Sequence, residues 1–172
     1  VVPGIGRGRA VRIHAFIIPD ALIHANATDP ASVIERLDRG LQALDEQYQE
    51  QLAAGGAGIA SAVLGAHRAI ARDPAFREHL AAAAREDACS AAGAIAAADA
   101  HFGAMLAASG SLLLRERALD IRDVCSRLFH LIYGDDAPGE RTRLTADAVC
   151  IADNLTPRHF LSLDRTFLKG LV

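Results

Sequence analysis

The sequence predicts a mainly α-helical chain, with a bundle of helices inserted between two short β-containing ends. Three observations carry this. About half of the 172 residues are apolar, yet much of that is alanine and only 5% are aromatic, which suits close-packed helices better than a sandwich or barrel. The longest periodic stretch, Leu112 to Gly134, repeats Leu114, Ile121, Cys125, Leu128 and Ile132 on one side of a helix. The two ends differ from this: a glycine-broken start leads into an alternating run, and the last residues read as short buried strands.

In chain order, Pro3 to Ala10 reads as a turn and Ala10 to Ile18 as a strand. The glycines resemble a phosphate loop only superficially. No Gly-Lys-Ser/Thr follows and no helix comes at once, so they are read as turn glycines. Thr28-Asp29-Pro30 starts a helix by a capping side chain and a proline at the first helical position. Val33, Leu37, Leu41, Leu44, Tyr48 and Leu52 form its stripe, and the glycine-rich stretch Ala53 to Gly58 ends it. A second helix carries Ile59, Val63, His67 and Ile70. Asp73-Pro74 breaks it and opens a short third piece with Phe76 and Leu80. Cys89 to Ala108 is an alanine-rich helix whose larger members are Ile95, Phe102, Met105 and Leu106. Ser109-Gly110-Ser111 turns the chain into the long periodic helix, which Gly134 stops. A polar connection follows, then a strand at Ala148 to Ala152, a short helix from Thr156-Pro157 through Leu163, and a strand over Phe167 to Val172. The first strand is expected to pair with the later ones. The segments are 1–24 (first part of the α/β unit), 25–134 (helical), 135–146 (linker) and 147–172 (second part of the α/β unit).

The net charge of −3 and pI near 6.2 give no basic footprint, which argues against nucleic acid as a partner. No apolar run approaches the length needed to cross a bilayer. Cys89, Cys125 and Cys150 are odd in number and far apart, as expected of reduced thiols in a cytoplasmic protein. None of the seven histidines has metal-ligand spacing, and no nucleophile–base set is visible. The anomaly is Arg117, which falls inside the apolar stripe of its helix. Asp120, one turn on, is close enough to pair with it. An arginine there must be paired or open onto a binding surface, because an isolated buried charge is very costly. His67 stands in the stripe of its own helix in the same way, so the two helices are expected to share a polar patch on an apolar face.

Four stretches resemble a known family. Gly65-Ala66-His67-Arg68-Ala69-Ile70-Ala71-Arg72-Asp73-Pro74-Ala75-Phe76 is similar to the A-H-x-x-x-x-x-D-P-x-L signature of bacterial Enzyme I, the phosphoenolpyruvate–protein phosphotransferase of the sugar phosphotransferase system. Arg115 to Val124 resembles its R-E-R-A-x-D-I-R-D-V stretch, Pro3 to Gly8 its S-P-G-I-A-x-G, and Ala152 to Pro157 its A-x-D-L-T-P. The resemblance implies a helical-bundle subdomain inserted into a small, truncated α/β phosphohistidine-type subdomain. It also implies docking of the phosphocarrier protein HPr on the helical part, for histidine-to-histidine phosphoryl transfer. His67, Ala69, Ile70 and Phe76 fall where the docking face lies, and Leu106, Leu113, Leu114 and Arg117 add its other wall. Arg117 and Asp120 would lie near the phosphoryl path, where a guanidinium fork suits phosphoryl oxygens.

The family's active histidine lies in a G-G-x-x-S-H-x-x-I-x-A-R motif, and no histidine of this chain has that context. The chain alone is therefore expected to bind without catalysing, as a monomer and without a cofactor of its own. Magnesium is implied only for the full-length family enzyme. Ala69 and Ala71 stand where the family often has larger apolar residues. The Enzyme I-like domain of the dihydroxyacetone kinase phosphotransfer subunit shares these motifs, as does the nitrogen-related paralogue. A helical interaction module with no phosphocarrier partner is the reading from a different class.

Overall fold

Asp29 begins the first long helix as its sequence context suggests. Its carboxylate accepts from the backbone N–H groups of Ala31 and Ser32, each at 3.1 Å, and Pro30 takes the first helical position. The computed structural model describes residues 6–13, 17–25, 29–55, 58–86, 89–109, 111–134, 144–152 and 163–172. Among these the order is β1 (Arg9–Arg12), α1 (Asp20–Ile23), α2 (Pro30–Ala54), α3 (Ile59–Arg72), α4 (Pro74–Glu86), α5 (Ala91–Ala107), α6 (Leu112–Tyr133), β2 (Ala148–Ile151) and β3 (Leu168–Leu171). The chain divides into two compact units, one of residues 1–17 with 139–172, the other of residues 18–138.

The helical unit is organised around α6. Val124, Cys125, Leu128 and Phe129 on this helix are fully buried. Helices α2, α3 and α5 pack against it, and the buried core includes Leu37, Leu41, Leu44 and Tyr48 from α2 and Ala92, Ile95 and Ala98 from α5. The alanines explain the composition: small side chains let α5 and α6 approach closely. Helix ends are closed as their residues dictate. The Asp73 carboxylate accepts from Ala75 N and Phe76 N, so the break between α3 and α4 also caps the second of them. Ser90 caps α5 through Gly93 N, and Gly134 ends α6 with a φ of 87°, a conformation that favours glycine. At that end of α6 the Arg36 side chain donates to Ile132 O at 2.9 Å and lies over the Tyr133 ring, a cation placed at a helix C-terminus. Asp99 on α5 and Arg122 on α6 pair at 3.5 Å. Burial pushes the Asp99 carboxyl above its ordinary range, against the pull of Arg122.

Several expectations need adjustment. The sequence gives no sign of the single turn α1, and the short piece opened by Asp73-Pro74 is a helix of 13 residues, Pro74–Glu86. Of the strand expected over Ala10 to Ile18, the described residues form Arg9–Arg12, with a further hydrogen bond from Ile13 N to Ile151 O, and residues 14–16 lie outside the description. Leu114 and Ile59, placed in apolar stripes, are 39% and 86% exposed; each lies in the first turn of its helix. The expected helix from Thr156 to Leu163, except Leu163 itself, and most of the 135–146 linker lie outside the described residues.

In the other unit, β2 is the central strand of a parallel sheet with order β1-β2-β3. Arg9 pairs with Ala148 and Arg12 with Ile151; the β2–β3 register shifts at Ala148/Val149. The first strand thus pairs with a later one, as expected, and β2 stands between it and β3. Parallel neighbours need long crossovers, and the crossover from β1 to β2 contains the whole helical unit. Ala148 and Cys150 alternate inward to a small core with Ile13, Leu144 and Leu163. The opening glycines serve close approach: a Cβ on Gly6 would lie 2.2 Å from Lys169 O, and one on Gly8 2.7 Å from Ala148 N.

Two helical glycines in the larger unit should respond oppositely to alanine. A Cβ at Gly65 meets nothing within 4 Å, whereas one at Gly93 would lie 2.9 Å from the Ile23 carbonyl oxygen. Urea unfolding should show Gly65→Ala stabilising by about 0.5–1 kcal/mol. Gly93→Ala should destabilise by about 1–3 kcal/mol through overpacking.

Candidate functional site

Helices α3 and α6 cross where their two anomalous residues lie. His67 is 6% exposed and its ring rests 6.0 Å from the ring of Tyr48, which is fully buried on α2. Arg127, further along α6, places its guanidinium 5.2 Å from the centre of the Tyr48 ring. His67 Nε2 lies 3.2 Å from Asp120 Oδ1. A carboxylate oxygen only accepts, so Nε2 carries the hydrogen and donates it. The other oxygen of the same carboxylate, Oδ2, accepts from Arg117 Nη1 at 3.4 Å. Asp120 therefore joins the buried histidine to the arginine, whose side chain is 51% exposed. The pairing expected between Arg117 and Asp120 is present, and His67 of α3 joins it; His67, expected on the docking face, lies beneath the surface instead.

The remaining sequence-selected residues are not equivalent. Ala69 is exposed, Ile70 and Leu106 are half-buried, and Leu114 is 39% exposed near the start of α6. Leu113 belongs to α6, but its side chain lies outside those described. Phe76 does not reach the surface: it is 2% exposed and packs in the core, its ring 5.7 Å from that of Phe102. A residue that follows an N-cap by three positions points back into the protein here, so Phe76 shapes the α4–α5 contact and offers nothing to a partner. Sequence reasoning passed over Tyr48 as a support for His67. It also missed the exposure of Met105, which at 53% adds a large apolar side chain near the end of α5. Only Met105 left a signal, as one of the few larger residues of an alanine-rich helix; the Tyr48–His67 contact joins positions far apart in the chain.

A second polar group ties α3 to α2. Arg68 donates from Nε to Asp45 Oδ1 at 2.7 Å and from Nη2 to Gln49 Oε1 at 2.9 Å, with Arg72 Nη1 3.7 Å from Asp45 Oδ2. The Arg68 hydrogen bond holds the Asp45 carboxyl below its ordinary range, outweighing its partial burial. Buried thiols complete the inventory: burial pushes Cys125 well up, with Asp99 adding to it, and Cys150 up as well, so neither is an activated nucleophile. Among the described residues no three His, Cys, Asp or Glu side chains are grouped to hold a metal ion, and no helix is long and apolar enough to cross a membrane.

A helical bundle carried between the strands of a small parallel sheet defines a class that solved structures share. The solution structure of Enzyme I superposes with a TM-score of 0.62 at 20% identity, covering 99% of this chain and 69% of that one. The N-terminal domain of the nitrogen Enzyme 1 gives 0.63 at 23%, covering 95% and 67%. In sequence, residues 1–117 match the family described as PEP-utilising enzyme, N-terminal, and the chain belongs to that family. Multiphosphoryl transfer protein 2 of Escherichia coli K12 is 48% identical over 118 residues, 67% of this chain and 14% of that protein. The phosphoenolpyruvate-protein phosphotransferase of Staphylococcus epidermidis is 27% identical over 184 residues, 100% of this chain and 31% of that protein. The chain thus spans less than a third of the length of these relatives.

Two outcomes follow from the geometry. Asp120→Ala leaves the buried His67 N–H without its acceptor, and should cost about 1–3 kcal/mol in urea unfolding at pH 7. For Asp45 the folded carboxyl titrates below its unfolded range. Its contribution is therefore present above the ordinary carboxylate pKa of about 3.9 and is lost as pH falls through the lower folded value. Arg68→Ala should lower stability at pH 7, and should lose less than the wild type between pH 5 and pH 3.

Proposed function

We propose that the chain is the amino-terminal part of a phosphoenolpyruvate-dependent protein phosphotransferase, and that its helical unit docks an HPr-type phosphocarrier. The observation that carries this is the half-exposed guanidinium of Arg117, held by Asp120 near the head of α6. Exposed Leu114 lies in the same stretch, and Met105 lies near the end of the preceding helix. A charged fork at the edge of apolar side chains suits a partner that presents a phosphorylated side chain from an apolar surface: the apolar contact supplies area, and the fork meets phosphoryl oxygens bidentately. The family membership and the names of the relatives point to the same chemistry. The 48% identity to a multiphosphoryl transfer protein, against 27% to a phosphoenolpyruvate-protein phosphotransferase, favours a parent of the multiphosphoryl type.

The docking role is expected to be separable from catalysis and to reside in a cytoplasmic, monomeric chain. No histidine among these 172 residues stands in the family's acceptor motif. Incubation of this chain with phosphoenolpyruvate and magnesium should yield no phosphohistidine; a stable phosphoprotein would contradict that part of the proposal.

The direct test is titration of isotope-labelled HPr with this chain by NMR. Shifts clustered around the carrier's active histidine are expected. Arg117→Ala should weaken binding by roughly tenfold or more, on the order of 1.4 kcal/mol or above, with the circular dichroism spectrum unchanged. A helical module with no phosphocarrier partner would show no shifts, and Arg117→Ala would then alter stability alone.

A further inference from the structure

His67 is too deeply buried to make much of a docking contact, yet it touches the group that holds Arg117. We infer that His67 is a positioning residue: it fixes the Asp120 carboxylate, which in turn fixes the direction of the Arg117 guanidinium. This rests on the reading of Arg117 as the partner-facing group.

The inference follows from how the three side chains share one carboxylate. An arginine and an aspartate one turn apart on a half-exposed helix surface form a loose pair, because both side chains rotate and water competes for each. Here one oxygen of Asp120 is taken by His67 Nε2 at 3.2 Å, which leaves the other facing Arg117 Nη1 at 3.4 Å. His67 cannot swing away. It is 6% exposed, and the Tyr48 ring, fully buried, packs 6.0 Å from it at a 59° tilt. The rigid end of the chain of contacts lies in the core and the mobile end at the surface. Removing His67 frees the carboxylate to rotate, and Arg117 then samples its other rotamers before a partner arrives. Ordering it on binding lowers affinity, as any loss of preorganisation does.

The geometry also dictates which replacement restores the effect. The bond uses Nε2, the ring nitrogen further from the backbone. Glutamine places its amide nitrogen near that position, whereas asparagine reaches only as far as the nearer ring nitrogen. His67→Gln should therefore behave like the wild type, and His67→Asn should behave like His67→Ala.

The experiment uses the full 172-residue chain. The first readout needs no partner: 15N relaxation of the Arg117 side-chain Nε–H. Its order should fall in His67→Ala and His67→Asn and be retained in His67→Gln, with helix content monitored by circular dichroism. Unchanged Arg117 order in a folded His67→Ala or His67→Asn overturns the inference. So does loss of order in His67→Gln equal to that in His67→Asn. The two polar variants keep the comparison decisive if His67→Ala unfolds.

The second readout is HPr affinity. His67→Asn should weaken it roughly three- to tenfold, and should have little further effect in an Arg117→Ala background. An equal effect in both backgrounds would mean that His67 acts by another route. If the wild-type chain binds no HPr while Arg117 order follows the expected pattern, the docking proposal fails and the positioning inference stands.

Discussion

Burial of one side of α6 is the constraint from which the helical unit follows. Val124, Cys125, Leu128 and Phe129 are fully enclosed, and α2, α3 and α5 are the elements that enclose them. Each large apolar side chain so buried contributes about 1.5–3 kcal/mol, whereas an exposed ion pair contributes about 0–1 kcal/mol. The apolar stripe therefore decides where the helices lie, and the polar residues must fit what it leaves. Asp120 occupies the place where this matters most, immediately before Ile121, the first buried residue of the stripe. It is where α6 passes from half-exposed to enclosed, so its carboxylate can reach a buried histidine with one oxygen and a surface arginine with the other.

The sheet obeys a different rule. Its strands are only four residues long and their neighbours run parallel, so turns cannot join them and a long crossover is required. The chain supplies one by placing the helical unit between β1 and β2. The glycines at the start are needed because backbone meets backbone there: Gly6 faces the Lys169 carbonyl and Gly8 faces Asp147 and Ala148. This accounts for a glycine pattern with none of the other parts of a phosphate loop.

What could be read from the sequence was local. Asp29-Pro30, Asp73-Pro74 and Gly134 carry their own capping chemistry, and the α2 stripe carries its period, so the long helices and their ends were legible. The insertion of a helical block between β-containing ends was legible from composition. The turn at Asp20–Ile23 was not, because four residues carry no period. Nor was the depth of a side chain along a helix. Periodicity gives an angle around the axis but says nothing of where along the axis a neighbour begins, which is why Leu114 and Ile59 share the apolar angle and are exposed, while Phe76 is enclosed. Arg117 and Asp120 could be paired from their spacing. The third partner could not be foreseen, since His67 lies 53 positions away and only the packing of α3 on α6 brings it near.

The same distinction between angle and depth resolves the arginine in the apolar stripe. Had Arg117 stood one or two turns later, its charge would have been removed from water, and pairing with Asp120 would have had to offset a penalty of several kcal/mol. At 51% exposure that penalty is largely avoided. The pair consequently has little stabilisation to provide, and at this exposure it provides little. What remains for Asp120 is geometric. A carboxylate tethered on its buried side by a histidine that cannot move presents its other oxygen in one direction, and the guanidinium that meets it inherits that direction. The anomaly in the stripe is thus less a problem of stability than a means of carrying order from the core of the bundle to a charged group at its surface.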